Sequence, residues 1–433
     1  MDQKTLQPKS RELQKEKQEL EKRESKRICI PIDQETYNQI IDDKELYRAC
    51  LDGYIEKHPE IFPSSIKKNY KLNGFCDESK KMPEVKIRRI SSTESNEHNK
   101  KECYQVVPSF VMPYMTGYTE EAEKALYLYF KHGVAFSGLV HVLGRDEMYW
   151  FRMVQQFGKC SIVGTTTREP DKLPKDVVAD EKHTKSNGEK VYVATTVGEE
   201  CFWGASMSST GEEEKLREAY EEFKDEAQEV DAEYEPETVN TDGFGSTIKS
   251  WRSLFVKVVL IRCFLHGFLK IRNRARRLSI FGELSKLVWD AYHQTTYEAF
   301  IDKITVLSLW SETNREVLGG RIFEAVKKLC DRAHEYAKAY NHPKCKRTSN
   351  MLDRLMQRMD RYLFMKKYFH GHLQTAELGI RAWALAQNFL PYCPRAGPSE
   401  KFISPVHRLN GKVYHQNWLE NLLVSSSLGG AIG

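Results

Sequence analysis

Residues 235–268, EPETVNTDGFGSTIKSWRSLFVKVVLIRCFLHGF, carry the densest structural signal in the chain. Glu237 to Thr241 is β-rich and delivers Asp242 at its end. Gly243 to Ser246 turns the chain, a short helix follows, and Val256 to Ile261 is an apolar strand running into Cys263 and His266. The pattern predicts a strand, an acid, a crossover and a second strand. In an open α/β sheet, reactive groups collect at strand ends. Asp242 is therefore a candidate site residue.

The flanking sequence supplies the rest of a sheet. Val177 to Asp180 reads as a short strand ending in an acid, and Lys190 to Thr196 and Cys201 to Met207 alternate like paired strands joined at Gly198. Residues 212–230 form an acidic helix with Leu216, Tyr220, Phe223, Ala227 and Val230 on one face. Three strands, a helix, a strand, a helix and a strand follow one another, which is the order of an RNase H-like core. Residues 264–347 are helical in pattern and basic, as expected of an all-α insertion. The helix from Ser349 to about Phe369 then carries Asp353. The expected fold class is α/β, a mixed five-stranded sheet with helices, interrupted by that insertion and preceded by an α-helical DNA-binding region.

The N-terminal part divides less sharply. Residues 1–28 are mostly Lys, Glu, Gln and Arg, and predict a charged, disordered arm. Residues 29–110 predict a helical region, with Tyr37, Ile40, Ile41, Leu46, Tyr47 and Leu51 at helical spacing, and a long polar loop over 76–104. Residues 111–165 predict helices over 119–131, 135–143 and 145–157, an arrangement similar to a helix-turn-helix with the last as recognition helix and Arg145 at its start. The alternative is an ordinary three-helix cluster with Trp150, Phe151, Met153 and Val154 as core. A Thr/Pro/Lys linker covers 162–176. The core is expected over 166–263 and 348–390, and a Pro-, Gly- and Ser-rich tail over 391–433 with one helical stretch near Trp418 to Leu423.

Composition narrows the function. No apolar run reaches the roughly 18 residues that span a bilayer, so no membrane partner is expected. The ten cysteines form no CxxC pair, which suggests reduced thiols. The net charge of +5 is split unevenly. From Gly243 onward 30 Lys and Arg face 14 Asp and Glu, whereas the first 242 residues carry 36 and 47. A C-terminal half this basic fits a polyanion.

Asp180, Asp242 and Asp353 stand 62 and 111 residues apart. Acids so distant share a site only if a fold gathers them. Carboxylates are natural ligands for hard divalent cations, and two such ions are a recurrent solution to phosphodiester cleavage. Asp242 could instead be a turn aspartate, Asp180 and Glu181 a surface pair with Glu181 the true ligand, and Asp353 a solvated residue whose place Asp360 takes. Glu312, Glu316 and Glu377 are weaker candidates.

These acids, the Cys263-Phe-Leu-His266 element 21 residues after Asp242, and Thr348-Ser-Asn350-Met-Leu-Asp353 resemble the motifs of D-D-E transposases. The similarity is to the Mutator-like superfamily and its bacterial insertion-sequence relatives, and it covers residues 108–425. Asp353 departs from it, standing where the family usually has Glu. The resemblance implies a DNA transposase that hydrolyses phosphodiesters at transposon ends and transfers the freed 3′-OH to target DNA. It implies two Mg²⁺ or Mn²⁺ ions held by Asp180, Asp242 and Asp353, with His266 steadying the scissile phosphate or an acid and Cys263 and Asn350 in support. Its partners would be double-stranded DNA, as terminal inverted repeats and target, and further copies of the chain on that DNA. It places the protein at a prokaryotic nucleoid, or in the nucleus of a eukaryote. A DNA-binding protein derived from such an enzyme, or a nuclease that cuts without joining, are the alternatives.

Basic runs fit this expectation. Lys270, Arg272, Arg274, Arg276 and Arg277 follow the Cys-x-x-His element, and Arg354, Arg358 and Arg361 recur at i, i+4 and i+7. Such residues make phosphate contacts that set affinity and register.

Overall fold

The computed structural model describes residues 25–95, 101–348, 350–393 and 402–431, without side chains for 350–353. The chain forms two compact units. One comprises the residues up to Lys172 together with those from Leu378 onward, and the other is Leu173–Glu377. Both are α/β, and each is built on a mixed sheet, of four and five strands respectively.

The first unit corrects the expectation for residues 29–110. Its sheet has the order β1-β4-β3-β2, from β1 Arg27–Ile30, β2 Tyr70–Phe75, β3 Arg88–Ser95 and β4 Lys101–Pro108. β1 runs parallel to β4, and the other pairs are antiparallel. The expected polar loop over 76–104 thus contains β3 and the start of β4. The strands escaped notice because polar residues share the inward positions, Arg88 and Ser92 flanking Ile90 along β3. Arg88 is buried, donates from Nε to the Ile41 carbonyl at 2.8 Å, and lies over the rings of Phe75 and Tyr47. Buried Ser92 accepts from the Glu102 N–H at 3.0 Å. Only two longer helices occupy the region, Gln34–Ile40 and Lys44–Lys57, capped by Asp33 and Asp43. Residues 1–24 of the predicted arm lie outside the described residues, and its last two belong to β1.

The linker and tail are likewise structural. Ile162–Thr166 is a buried helix, and its Gly164 approaches the Gly430 carbonyl so closely that a Cβ would stand 1.9 Å away. Arg168 donates to the carbonyls of Glu60, Ser425, Ser427 and Ala431 at 2.5–3.2 Å. The C-terminal helix Trp418–Ser425 is held in the core by this bonding. Ile162 and Val163 of the first helix and Leu419, Leu422 and Val424 of the last are fully buried, so both segments belong to the core although Thr, Ser, Gly and Pro dominate their surroundings in the sequence.

The second unit has the strand order β7-β6-β5-β8-β9. Its strands are β5 Asp176–Ser186, β6 Glu189–Gly198, β7 Cys201–Ser208, β8 Thr238–Thr241 and β9 Val259–Arg262. β6 is antiparallel to both β5 and β7, whereas β5, β8 and β9 run parallel. The helices Glu213–Val230 and Gly245–Leu254 supply the crossovers. Tyr220, Phe223, Trp251 and Phe255 form one aromatic cluster at their junction. Four longer helices, Phe264–Ala275, Phe281–Tyr292, Tyr297–Thr313 and Arg315–Asp331, share their own core around Phe264, Phe268, Val288, Phe300 and Val326. The helix Asn350–Met365 then returns to β5. Among the described residues, no helix is long and apolar enough to cross a membrane.

Candidate metal centre

The parallel pairing of β5 with β8 builds the site. Val178 stands opposite Asn240, so Asp180 and Asp242, each two residues further on, come level with one another. Asp180 does not end its strand, as expected, but is the fifth residue of an eleven-residue β5. β8 stops at Thr241 while β5 continues beside β6. The acid therefore sits at the end of the shared ladder, in the middle of its own strand. Glu181 follows it and is buried, at 6% exposure. Ligand oxygens of Asp180, Glu181 and Asp242 all lie within 4.8 Å of one another.

Local bonding fixes each carboxylate. Asp242 Oδ1 accepts from the Phe244 N–H at 2.7 Å, closing a turn in which Gly243 has φ +94°. That turn favours glycine by its backbone, and any side chain there would also have to displace the end of Arg262. The positive φ disfavours other residues, and a Cβ would fall 1.9 Å from Arg262 Nη1. Arg262 is itself paired with Glu335. The helix that starts at Gly245 carries Thr247, whose buried hydroxyl donates to Glu181 Oε2. One short segment thus presents Asp242 and restrains Glu181.

Burial pushes the Glu181 carboxyl up to about 8, and the charges of Asp180 and Asp242 add to this against the Thr247 hydrogen bond. Tyr220 lies beneath, fully buried. Its hydroxyl is raised well above its ordinary value by burial first and then by Glu181 and Asp180. The metal-free cluster accordingly retains a proton near neutral pH. A divalent cation removes the reason for holding it, because it supplies the positive charge that the carboxylates lack. Three hard oxygen donors suit such an ion. The cluster could therefore hold a metal.

The other predicted residues are distributed around this centre. Asp353 and Asn350 lie on the helix Asn350–Met365, and their side chains are outside the described residues. Asp360, the alternative third ligand, is paired with Lys182 of β5 and is not in the cluster. Glu377 accepts from the Met207 N–H, and Glu312 and Glu316 are exposed on the insertion. Cys263 is buried, its N–H donates to the Thr241 carbonyl at 2.8 Å, and its Sγ is 3.2 Å from His266 Nδ1. The thiol and imidazole thus form a local pair beside the end of β8, and neither belongs to the carboxylate group. Lys270, Arg272, Arg274, Arg276 and Arg277 are exposed, as are Arg354, Arg358 and Arg361.

In the first unit, the three expected helices span Thr119–His132, Phe136–Leu143 and Glu147–Gly158. Trp150, Met153, Val154 and Phe157 of the third are buried, whereas Arg145 is exposed, 3.6 Å from Glu121 and over the Tyr149 ring. Thr247 and Arg262 were not singled out in the sequence. Nothing local distinguishes them, since their importance comes from β5 and from the Gly243 turn.

The chain matches no protein-family model and no curated protein.

Proposed function

We propose that this chain is a metal-dependent polynucleotidyl transferase of RNase H-like fold, a DNA transposase with Asp180, Asp242 and Asp353 as its acids. The observation that carries this reading is the convergence of Asp180, Glu181 and Asp242 across parallel strands β5 and β8. The strand order, with a lone antiparallel strand between β5 and β7, supports the fold assignment. When bound, Mg²⁺ or Mn²⁺ would supply charge stabilisation at the scissile phosphate and a more acidic attacking water.

The position of Asp353 agrees with this role. Asp360 meets Lys182, and Phe369 bridges Ser186 further along, so the helix and β5 run in the same direction. Seven residues of helix rise about 10 Å, equivalent to about three residues of strand. On that spacing position 353 would stand toward the Asp180 end of β5. Exposed Arg354, Arg358 and Arg361 beside it suit a phosphate backbone. The three helices over 119–158 would engage duplex DNA in the first unit, with Arg145 at the edge.

The test is nicking and joining of labelled duplexes taken from the flanks of the coding sequence, with Mg²⁺ or Mn²⁺. Wild type is expected to cut and join. Asp180→Ala, Asp242→Ala and Asp353→Ala should lose both, and Asp360→Ala should keep both. DNA binding without cleavage in either metal would overturn the reading. One observation favours a second reading, a nuclease that does not join: Glu181 already completes a carboxylate trio without Asp353. In that case Glu181→Gln would abolish cutting, Asp353→Ala would retain it, and no joined product would form.

A further inference from the structure

The helix Asn350–Met365 ends in an exposed apolar group that the proposed chemistry does not use. Phe364 is 75% exposed, Met365 49% and Tyr368 44%. Three large apolar side chains left exposed together at one helix end, rather than singly, are candidates for contact with a partner. The ring's place on the helix is informative. Positions 353, 357, 360 and 364 recur at i, i+4, i+7 and i+11, and positions 354, 358, 361 and 365 form the adjoining stripe at the same spacing. Phe364 thus continues the stripe of the two aspartates, and the arginines run alongside.

The turn after the helix is held in an unusual conformation. Lys367 and Tyr368 both adopt positive φ, +52° and +71°. Consecutive non-glycine residues in that region carry a strain of about 1 kcal/mol or more each. They are strapped in place from both sides. The Lys367 and Tyr368 N–H groups donate to the carbonyls of Phe364 and Leu363, and at the tip of the β5–β6 hairpin the Phe369 N–H donates to the Lys185 carbonyl while the Phe369 carbonyl accepts from the Asn187 N–H. The Asn187 side chain adds two more to Gly371, at 2.8 and 2.9 Å. The strap orients Tyr368 near the foot of the helix and ties the helix to the strand that bears Asp180.

Charge selects the occupant. Between Arg354 and Tyr368 there are five cations, Arg354, Arg358, Arg361, Lys366 and Lys367, and a single acid, Asp360, which Lys182 neutralises. Cations alternating with bare aromatic rings suit a strand whose phosphates and unstacked bases are both available. A closed duplex offers the phosphates but not the base faces.

We infer that Phe364 and Tyr368 form a stacking platform for unpaired bases of a nucleic-acid strand whose backbone follows Arg354, Arg358 and Arg361. The assignment of that strand to the acid cluster rests on the function proposed above, but the stacking does not. The substrate class would be DNA that is single-stranded or frayed next to the scissile phosphate, rather than intact duplex.

The experiment is equilibrium binding of the full-length chain, in EDTA, to oligonucleotides carrying 2-aminopurine, presented as single strand, frayed duplex or blunt duplex. Chelation removes catalysis, so the outcome is independent of whether the chain cuts DNA. Wild type should favour the unpaired forms, and stacking should quench the fluorescence. Phe364→Ala and Tyr368→Ala should each weaken binding of the unpaired forms about tenfold. Phe364→Trp should restore both affinity and quenching, whereas Phe364→Leu, which keeps apolar bulk without a π face, should not. Phe364 is exposed, so these variants should melt with wild type. Equal binding by the Leu and Trp variants, or a wild-type preference for blunt duplex, would overturn the inference.

Discussion

Each unit of this protein draws acids at least partly out of solvent, and the two groups are handled in opposite ways. In the first unit Glu60 accepts from Tyr414 at 2.8 Å and from Lys412 at 3.0 Å, and Lys412 also meets Glu169 at 2.9 Å. Burial pushes Glu60 up, but bonds from its backbone, Tyr414 and Lys412 outweigh this and leave it below its ordinary value. In the second unit Asp180 and Asp242 push Glu181 further up instead of relieving it. The first arrangement is complete in itself and holds chain segments together. The second is costly unless a cation joins it. That asymmetry separates an ion network whose charges are already matched from a group of acids that could hold a metal.

The comparison breaks most visibly if the acid cluster is dispensable. Asp180→Ala and Asp242→Ala should reduce metal-dependent cleavage to background while leaving the melting temperature equal or higher, since each removes a repulsive charge. A fall in stability matching the fall in activity would assign the cluster a structural role. The reciprocal change lies in the first unit. Arg168→Met leaves up to four backbone carbonyls without their donor. Urea denaturation should show a loss of about 3 kcal/mol or more. Retained stability would mean that water replaces the guanidinium.

Glu181→Gln sharpens the contrast through pH. The folded-state value, about 8, lies above the unfolded 4.5. The stability tied to its proton is therefore fully present below pH 4.5 and is lost as pH rises through 8. In EDTA, wild type should lose on the order of 3–5 kcal/mol relative to the Gln variant across that window. Mg²⁺ should restore it. Parallel pH curves for the two proteins would exclude a buried, proton-holding Glu181.

Smaller effects follow. Gly243→Ala places a methyl against Arg262 in a positive-φ turn, and should cost about 1–2 kcal/mol while impairing cleavage through Asp242. An unaltered cleavage rate would show that the turn can shift without moving the acid. Last, Asp360→Asn disturbs only the pair with Lys182, whose side chains are 25% and 53% exposed for Lys182 and Asp360 respectively. Its stability change should stay under about 1 kcal/mol. Cleavage should be kept, and its loss would make Asp360 rather than Asp353 the third acid.

The sequence by itself determined the elements whose periodicity is local. The strands β6 and β7, the apolar face of Glu213–Val230, the strand–turn–helix around Asp242 and the helical block after Cys263 were all legible, because local composition marks the strands, which are buried on both faces, and apolar residues recur about every 3.6 positions along the helices. The four-stranded sheet was not, since Arg88 and Ser92 fill inward positions with polar groups satisfied by distant partners. Nor was the embedding of the C-terminal segment, where Leu419, Leu422 and Val424 are buried and Arg168 reaches carbonyls some 260 residues away. Asp180 and Asp242 could be nominated as acids near strand ends, and Glu181 as an alternative ligand. Only the tertiary structure decided that all three converge, because that depends on the parallel register of β5 on β8 and on Thr247 from the following helix. A residue's type and its neighbours along the chain set local conformation and place Asp180 beside Glu181, whereas the burial of Glu181 and the approach of Asp242 to within 4.8 Å come only with folding.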